Sequence, residues 1–135
     1  MLDTITNFDV SNDKLLLKDV NGGALTVASG GNITVPTSIY VDTLGSTLTA
    51  SATNGIVGFG ITAGSGAETG ADAITLDQKL YAVVQNIGKN DAVGFEHGGD
   101  TYVIVGGGAS GAATDDLVIK LAGVTGVTDI TSILA

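Results

Sequence analysis

The sequence predicts a mainly β fold, with largely antiparallel, sandwich-like sheets and one amphipathic helix over about 75–88. Three observations carry this expectation. Short apolar runs recur between clusters of Gly, Asn, Asp and Ser, and 21 glycines against a single proline, Pro36, supply many tight turns. Threonine recurs through the runs of the first half, as suits pleated, partly exposed surfaces. One segment alone, Thr75–Gly88, carries apolar residues at three-to-four spacing. The 135 residues fit one domain, 1–135, with an internal loop over 62–72. A chain of this size buries roughly two-thirds of its unfolded surface, so an independent core is feasible. Hydrophobic residues make up 44%, which argues against disorder. With three Phe, three Tyr and no Trp, that core must be built from Val, Ile, Leu and Ala.

The elements follow in order. In LDTITNFDV, Leu2, Ile5 and Phe8 stand apolar among Asp, Thr and Asn. DVSND (9–13) reads as a polar turn, and Lys14–Lys18 as a short apolar strand. Asn21-Gly22-Gly23 is a turn before the strand ALTVA (24–28). Gly30-Gly31-Asn32 reads as the next turn, and ITV (33–35) returns before Pro36. SIYVD (38–42), STLTASA (46–52) and GIVGFGI (55–61) are further strands. In the helix, Leu76, Leu80, Val83, Val84 and Ile87 form the apolar stripe that should lie on a sheet. Thr75 with Gln78 makes a capping box, Asp77 suits the positive end of the helix dipole, and Gly88 is the expected stop. AVGFEH (92–97) and TYVIV (101–105) flank Gly98-Gly99, a hairpin turn in which two left-handed residues are needed and glycine supplies them. Asp100 then caps the turn or stays in water. GGGASGAATDD (106–116) is a loop, LVIKLAG (117–123) the last strand, and VTGVTDITSILA an apolar tail. That tail is a last strand or helical turn docking on the core, or an address for export.

Composition excludes several functions. The formal net charge is −9, with 14 acids against 5 basic residues, all lysine. Nucleic acid and anionic membranes are therefore poor partners, since both need a basic surface. No stretch approaches a membrane-spanning length without Gly or polar breaks. Without cysteine there are no disulfides, zinc-thiolate sites or thiol nucleophiles. The start, Met1-Leu2-Asp3, lacks the basic and apolar regions of an N-terminal signal peptide.

Catalytic equipment is thin, and the expectation is that the chain is not an enzyme. The single histidine, His97, would need a nucleophile such as Ser110 and an acid such as Asp116. Asp115 and Asp116 would point to opposite faces of a strand and make no glycosidase-like pair. A haem ligand set from His97 with Tyr40, Tyr81 or Tyr102 competes with the plainer reading of those tyrosines as packing residues with wet hydroxyls. Calcium is the strongest ligand expectation. It takes six to eight oxygens from turns that gather carboxylates and carbonyls. Asp9, Asn12 and Asp13 lie within five residues, with Asp3 as a fourth candidate. The competing reading of the same residues is a side-chain-capped turn.

Two stretches resemble a known family. DTITNFDVSNDKLLL, at 3–17, is similar to the segment that follows the calcium-binding repeats of RTX proteins, through Asp3, Ile5, Phe8, Asp9, Asp13, Leu15 and Leu17. FEHGGDTYVIV…TDDLVIKLAGVTGV, from Phe95 to Val127, resembles the C-terminal region of RTX and S-layer-like exoproteins exported by type I secretion. Phe95, Gly99, Asp100, Thr101, Tyr102, Val103, Val105, Asp116, Val118, Ile119, Lys120, Leu121 and Gly123 carry that likeness. The nonapeptide repeats of β-rolls do not continue here, and the resemblance puts them upstream of residue 1. It implies a C-terminal piece of a longer secreted protein, extracellular or at the cell surface. A type I exporter would be its partner, through an uncleaved C-terminal signal, with calcium-aided folding outside the cell and self-assembly or a cell-surface partner beyond that. The alternative is an extracellular adhesion or carbohydrate-binding module, with Tyr40, Tyr81 and Tyr102 as the available stacking residues.

Overall fold

A computed structural model describes residues 2–19, 21–27, 31–33, 46–62, 74–108 and 116–135. The expected strand 38–42 lies outside these residues, as do most of ITV (33–35), nearly all of the 62–72 loop and much of the 106–116 loop. The elements are β1 (Leu2–Ile5), β2 (Thr26–Val27), β3 (Gly31–Ile33), β4 (Thr47–Thr53), β5 (Ile56–Thr62), α1 (Leu76–Val84), β6 (Asp91–His97), β7 (Asp100–Val105) and β8 (Leu117–Leu121), then a 3₁₀ turn, Ile130–Ser132.

The fold is mainly β with one helix, and its strands form one eight-stranded sheet in the order β1-β8-β7-β6-β5-β4-β3, with β2 also beside β6. The sheet is mixed rather than purely antiparallel, with its long pairings antiparallel and its parallel ones short. β3–β4, β4–β5, β6–β7 and β7–β8 are antiparallel, whereas β1–β8, β2–β6 and β5–β6 are parallel. The division has a physical reason. Two-residue turns join β4 to β5 and β6 to β7 and leave a local signature. The parallel pairs join segments far apart in sequence, so no local turn announces them.

β6 and β7 are buried on both sides, which is why AVGF and TYVIV read as unbroken apolar runs. On one face Ala92, Val103, Ile119 and Leu121 pack with Val124, Val127, Ile130 and Ile133 of the tail and with Leu15. On the other, Val93, Phe95, Tyr102 and Ile104 pack with Val83 and Ile87, and with Ala50, Ala52 and Val57 of the β4–β5 hairpin. Phe95 meets Phe59 edge-on at 5.4 Å between ring centroids and stacks on Tyr102 at 5.6 Å. The hairpin is one-sided. Leu48, Ala50 and Ala52 are buried, while Thr49, Ser51 and Thr53 face out.

Helix α1 starts as the sequence demands. Thr75 Oγ1 accepts the Gln78 N–H at 3.2 Å, and Gln78 Oε1 accepts the Thr75 N–H at 2.8 Å. It ends earlier than Gly88, at the cap residue Gln85. Asn86 Nδ2 donates to the Ala82 carbonyl at 2.7 Å, and the Gly88 N–H goes to Asp91 Oδ2 at 2.8 Å. Side chains thus close the helix before the glycine is reached. Two further expectations are corrected. Lys14–Lys18 forms no strand but only a parallel bridge, Leu15 to Leu134. Gly31 and Asn32 are not turn residues; they sit in β3, opposite Ala52 and Ser51.

Candidate functional site: the joined chain ends

The two ends of the chain meet. β1 runs parallel to β8 with Leu2, Asp3, Thr4 and Ile5 opposite Val118, Ile119, Lys120 and Leu121. The Ala122 N–H donates to the Ile5 carbonyl at 2.9 Å. Further along, the Leu15 N–H donates to the Ile133 carbonyl at 2.7 Å, and the Ala135 N–H to the Leu15 carbonyl at 2.9 Å. Lys14 Nζ donates to the Ser132 carbonyl.

Between these contacts lies the acidic turn. Asp9 Oδ1 accepts the Ser11 N–H at 2.9 Å, its Oδ2 accepts from Asn12 Nδ2 at 2.7 Å, and Asp13 Oδ2 accepts the Asp9 N–H at 2.9 Å. The Asp9 carbonyl receives the N–H groups of Asn12 and Asp13. Asp9, Asn12 and Asp13 are therefore brought together in a side-chain-capped turn. The hydrogen bond from Asn12, with that from Ser11, holds the Asp9 carboxyl below its ordinary pKa, because both donors favour the charged form. Asp3 stands apart from this hydrogen-bonded turn, on β1. Among the described residues no group of three or more His, Cys, Asp or Glu side chains could hold a metal ion. A shallow groove of about 420 Å³ runs beside the turn, between Asn7–Val10 and Gly123–Thr125.

Gly98-Gly99 is a two-residue hairpin turn. Both residues are left-handed, at φ +60° and +86°, and the flanking pair is His97 and Asp100. Asp100 neither caps that turn nor stays free in water. Its Oδ1 accepts the Gly123 N–H at 2.8 Å, and its Oδ2 pairs with Lys120 Nζ at 2.8 Å. Lys120, then Gly123, lowers the Asp100 pKa, and Asp100 raises that of Lys120. Two neighbours do the same work. Thr101 Oγ1, fully buried, donates to the Val124 carbonyl at 2.8 Å, and Glu96 Oε1 accepts the Gly126 N–H. The β6–β7 hairpin thus grips the 122–126 loop at three points.

The loop delivers the tail to its seat. The Ile130 N–H donates to the Asn54 carbonyl at 3.0 Å, and Ile130 and Ile133 are fully buried. Asn54-Gly55 is itself the left-handed turn of the β4–β5 hairpin, at φ +50° and +74°. A Cβ on Gly55 would lie 2.3 Å from Ile130 Cγ2 and 2.7 Å from Val27 Cγ1, so the bare glycine makes room for the isoleucine. The tail is a docked helical turn, one of the alternatives its sequence offered. Its Asp129 caps it by accepting from Thr131 N–H and Oγ1, which lowers the Asp129 pKa.

The residues weighed for catalysis and stacking are dispersed. His97 lies near Lys79 and Asp100, and burial, then Lys79, lowers its pKa. Asp116 Oδ1 accepts the Gly107 N–H at 2.9 Å, and Ser110 lies outside the described residues. Tyr102 is buried in the core while Tyr81 is exposed, so these two make no shared stacking platform; Tyr40 is outside the described residues. The anchors Glu96, Thr101 and Asn54-Gly55 were not evident as such in the sequence. Asn-Gly between two alternating strands was the available signal for the last. No protein-family model matches this chain, and neither a curated protein nor a solved structure does.

Proposed function

We propose that the chain is a non-catalytic C-terminal domain of a type I-secreted RTX or S-layer-like protein. It serves secretion targeting, calcium-aided folding outside the cell, and surface assembly. One observation supports this reading best. The two stretches that carry the resemblance, 3–17 and 95–127, stand at opposite ends of the sequence yet form one seam, through β1 on β8. Leu15, at the end of the first stretch, continues that seam onto the tail. A segment that closes a preceding repeat array and a C-terminal hairpin of one module are expected to touch in this way.

The mechanism follows from charge. At low calcium the net charge of −9 repels itself and keeps the chain loose. Outside the cell, calcium screens or ligates the carboxylates and folding follows. Asp9, Asn12 and Asp13, gathered in one turn, are the proposed ligands, with Asp3 on β1 as a fourth candidate that the turn does not itself bring in. The test places a passenger protein ahead of residues 1–135 in cells with a type I exporter. Exporter-dependent release, lost when residues 127–135 are deleted, supports the targeting role; release that ignores the deletion refutes it. Thermal unfolding with calcium and with chelator tests the ligand role, and equal midpoints would remove calcium from this segment.

A further inference from the structure

Asn54-Gly55 holds the tail, and it is also one of two Asn-Gly pairs in the chain, the other being Asn21-Gly22. Asparagine is a thermally labile residue. A following glycine has no side chain to shield its nitrogen from the asparagine amide. The reaction this permits needs only water. The Gly55 nitrogen loses its proton and bonds to Asn54 Cγ, the Cγ–Nδ2 bond breaks, and ammonia departs as a five-membered succinimide closes. Water then opens the ring. Cleavage between the nitrogen and Cγ leaves aspartate. Cleavage between the nitrogen and the old main-chain carbonyl leaves isoaspartate, with the backbone running through Cγ. Asn54 is exposed, so water and base reach its side chain.

The folded turn blocks the first step. Asn54 is left-handed, at φ +50°. In that region, with ψ of about +30 to +60°, the next residue's nitrogen lies nearly opposite the residue's own Cβ. Ring closure therefore requires the 54–55 peptide to rotate about the Asn54 Cα–C bond. The carbonyl and N–H of one peptide share a plane, so a rotation that brings the nitrogen to Cγ swings the Asn54 carbonyl away. That carbonyl is the one the tail holds, through the Ile130 N–H at 3.0 Å. Ile130 Cγ2 and Val27 Cγ1 also fill the space beside Gly55, which is buried. Asn21-Gly22 is held differently, from within its own turn. The Gly22 N–H donates to the Asp19 carbonyl at 2.9 Å, and the Asn21 N–H to Asp19 Oδ1 at 2.8 Å.

We propose that Asn54 is a self-modification site gated by the tail. While Ile130 is seated the turn stays intact; when the tail lifts, Asn54 closes onto Gly55 and converts to isoaspartate. The change runs one way. Isoaspartate adds a methylene to the main chain of a two-residue turn whose twist is fitted to its strands. It also takes the acceptor of the Ile130 N–H off the main chain and makes it one oxygen of a carboxylate branch. The seat then no longer matches the tail, and a passing opening of residues 127–135 becomes a lasting release, while β6 and β7 keep their pairing.

The test holds the full chain at mildly alkaline pH and follows isoaspartate at positions 54 and 21 by peptide mapping and enzymatic methylation. Two variants loosen the tail. Ile130→Ala removes the docked side chain, and Asp129→Ala removes the cap that Thr131 N–H and Oγ1 make use of, without touching the core. Both are expected to raise the rate at 54 several-fold and to leave the rate at 21 unchanged. In aged wild-type protein, molecules with isoaspartate at 54 should show fast exchange of the Ile130 and Ile133 amides beside a protected Val103. Asn54→Gly keeps a residue at home in the left-handed region but lacks the amide, and should show no such loss on ageing. Equal rates at 54 in the wild type and both tail variants, or rates at 54 and 21 that rise together as global opening would make them, would overturn the gate. Isoaspartate at 54 with Ile130 still protected would overturn the release.

Discussion

Replacing Ile130 by alanine should destabilise the whole domain, although the residue lies five positions from the last residue, Ala135. Its side chain is fully buried against Gly55 and packs in the cluster with Ala92, Val103 and Leu121. The substitution removes three carbons, worth about 0.8 kcal/mol each, or about 2.4 kcal/mol together. The emptied socket adds to this, for a total of about 3–4 kcal/mol. Gly55→Ala attacks the same contact from the other side. A left-handed non-glycine residue costs about 1–2 kcal/mol, and the collision with Ile130 Cγ2 adds about 1–3 kcal/mol. The two changes must not add, because Ile130→Ala deletes the very methyl that a Cβ at position 55 would strike. The double variant should lie about 1–2 kcal/mol above the sum of the singles in stability. Urea unfolding of the four proteins gives the cycle directly. Strict additivity, or a cost below about 0.5 kcal/mol for Ile130→Ala, the size of an ordinary surface change, would show that the tail does not sit on that turn.

Four further outcomes are expected. Gly98→Ala should cost about 1–2 kcal/mol in thermal or urea unfolding, while Gly98→Asn should cost clearly less, since Asn tolerates the left-handed region. Thr75→Ala should cost about 1 kcal/mol by removing one half of the capping box on α1. Asp100→Asn should weaken the protein at neutral pH, with a sign fixed by its lowered pKa. The stabilisation from Lys120 and Gly123 is full above the ordinary carboxylate value and is lost as pH falls through the lowered folded value. The gap between wild type and variant, followed by unfolding from pH 7 downward, should therefore close in acid, and a gap that widens there would contradict the assignment. The double variant Asp9→Ala/Asp13→Ala should lose whatever rise in thermal midpoint calcium confers on the wild type; an undiminished rise would move the ligands elsewhere.

Local chemistry was legible in the sequence. The capping pair Thr75 and Gln78, the hairpin at Gly98-Gly99 and the unbroken apolar runs of β6 and β7 each follow from neighbours within a few residues. What escaped depends on partners far along the chain. Leu15 bridges Leu134, and β1 pairs with β8, with no intervening turn to mark either. Lys14–Lys18 looked like a strand because its leucines are apolar, but only Leu15 finds a backbone partner in the bridge, and Leu16 is 72% exposed. Gly31-Asn32 looked like a turn because the same residue types serve a strand when a neighbour supplies the ladder. In the candidate site, the gathering of Asp9, Asn12 and Asp13 was visible from spacing alone. The roles of Glu96, Asp100 and Thr101 were not, since each holds a loop more than twenty residues away.

The account stands on both ends of the chain belonging to one folded unit, and native-state hydrogen exchange tests this most directly. The amide protons of Leu15, Ala122 and Ile130 donate to the tail, to β1 and to the Asn54 turn respectively. They should exchange slowly and open with the same free energy as Val103 in the centre of the sheet. Exchange of Leu15 and Ile130 at the rate of a free peptide, while Val103 stays protected, would contradict it.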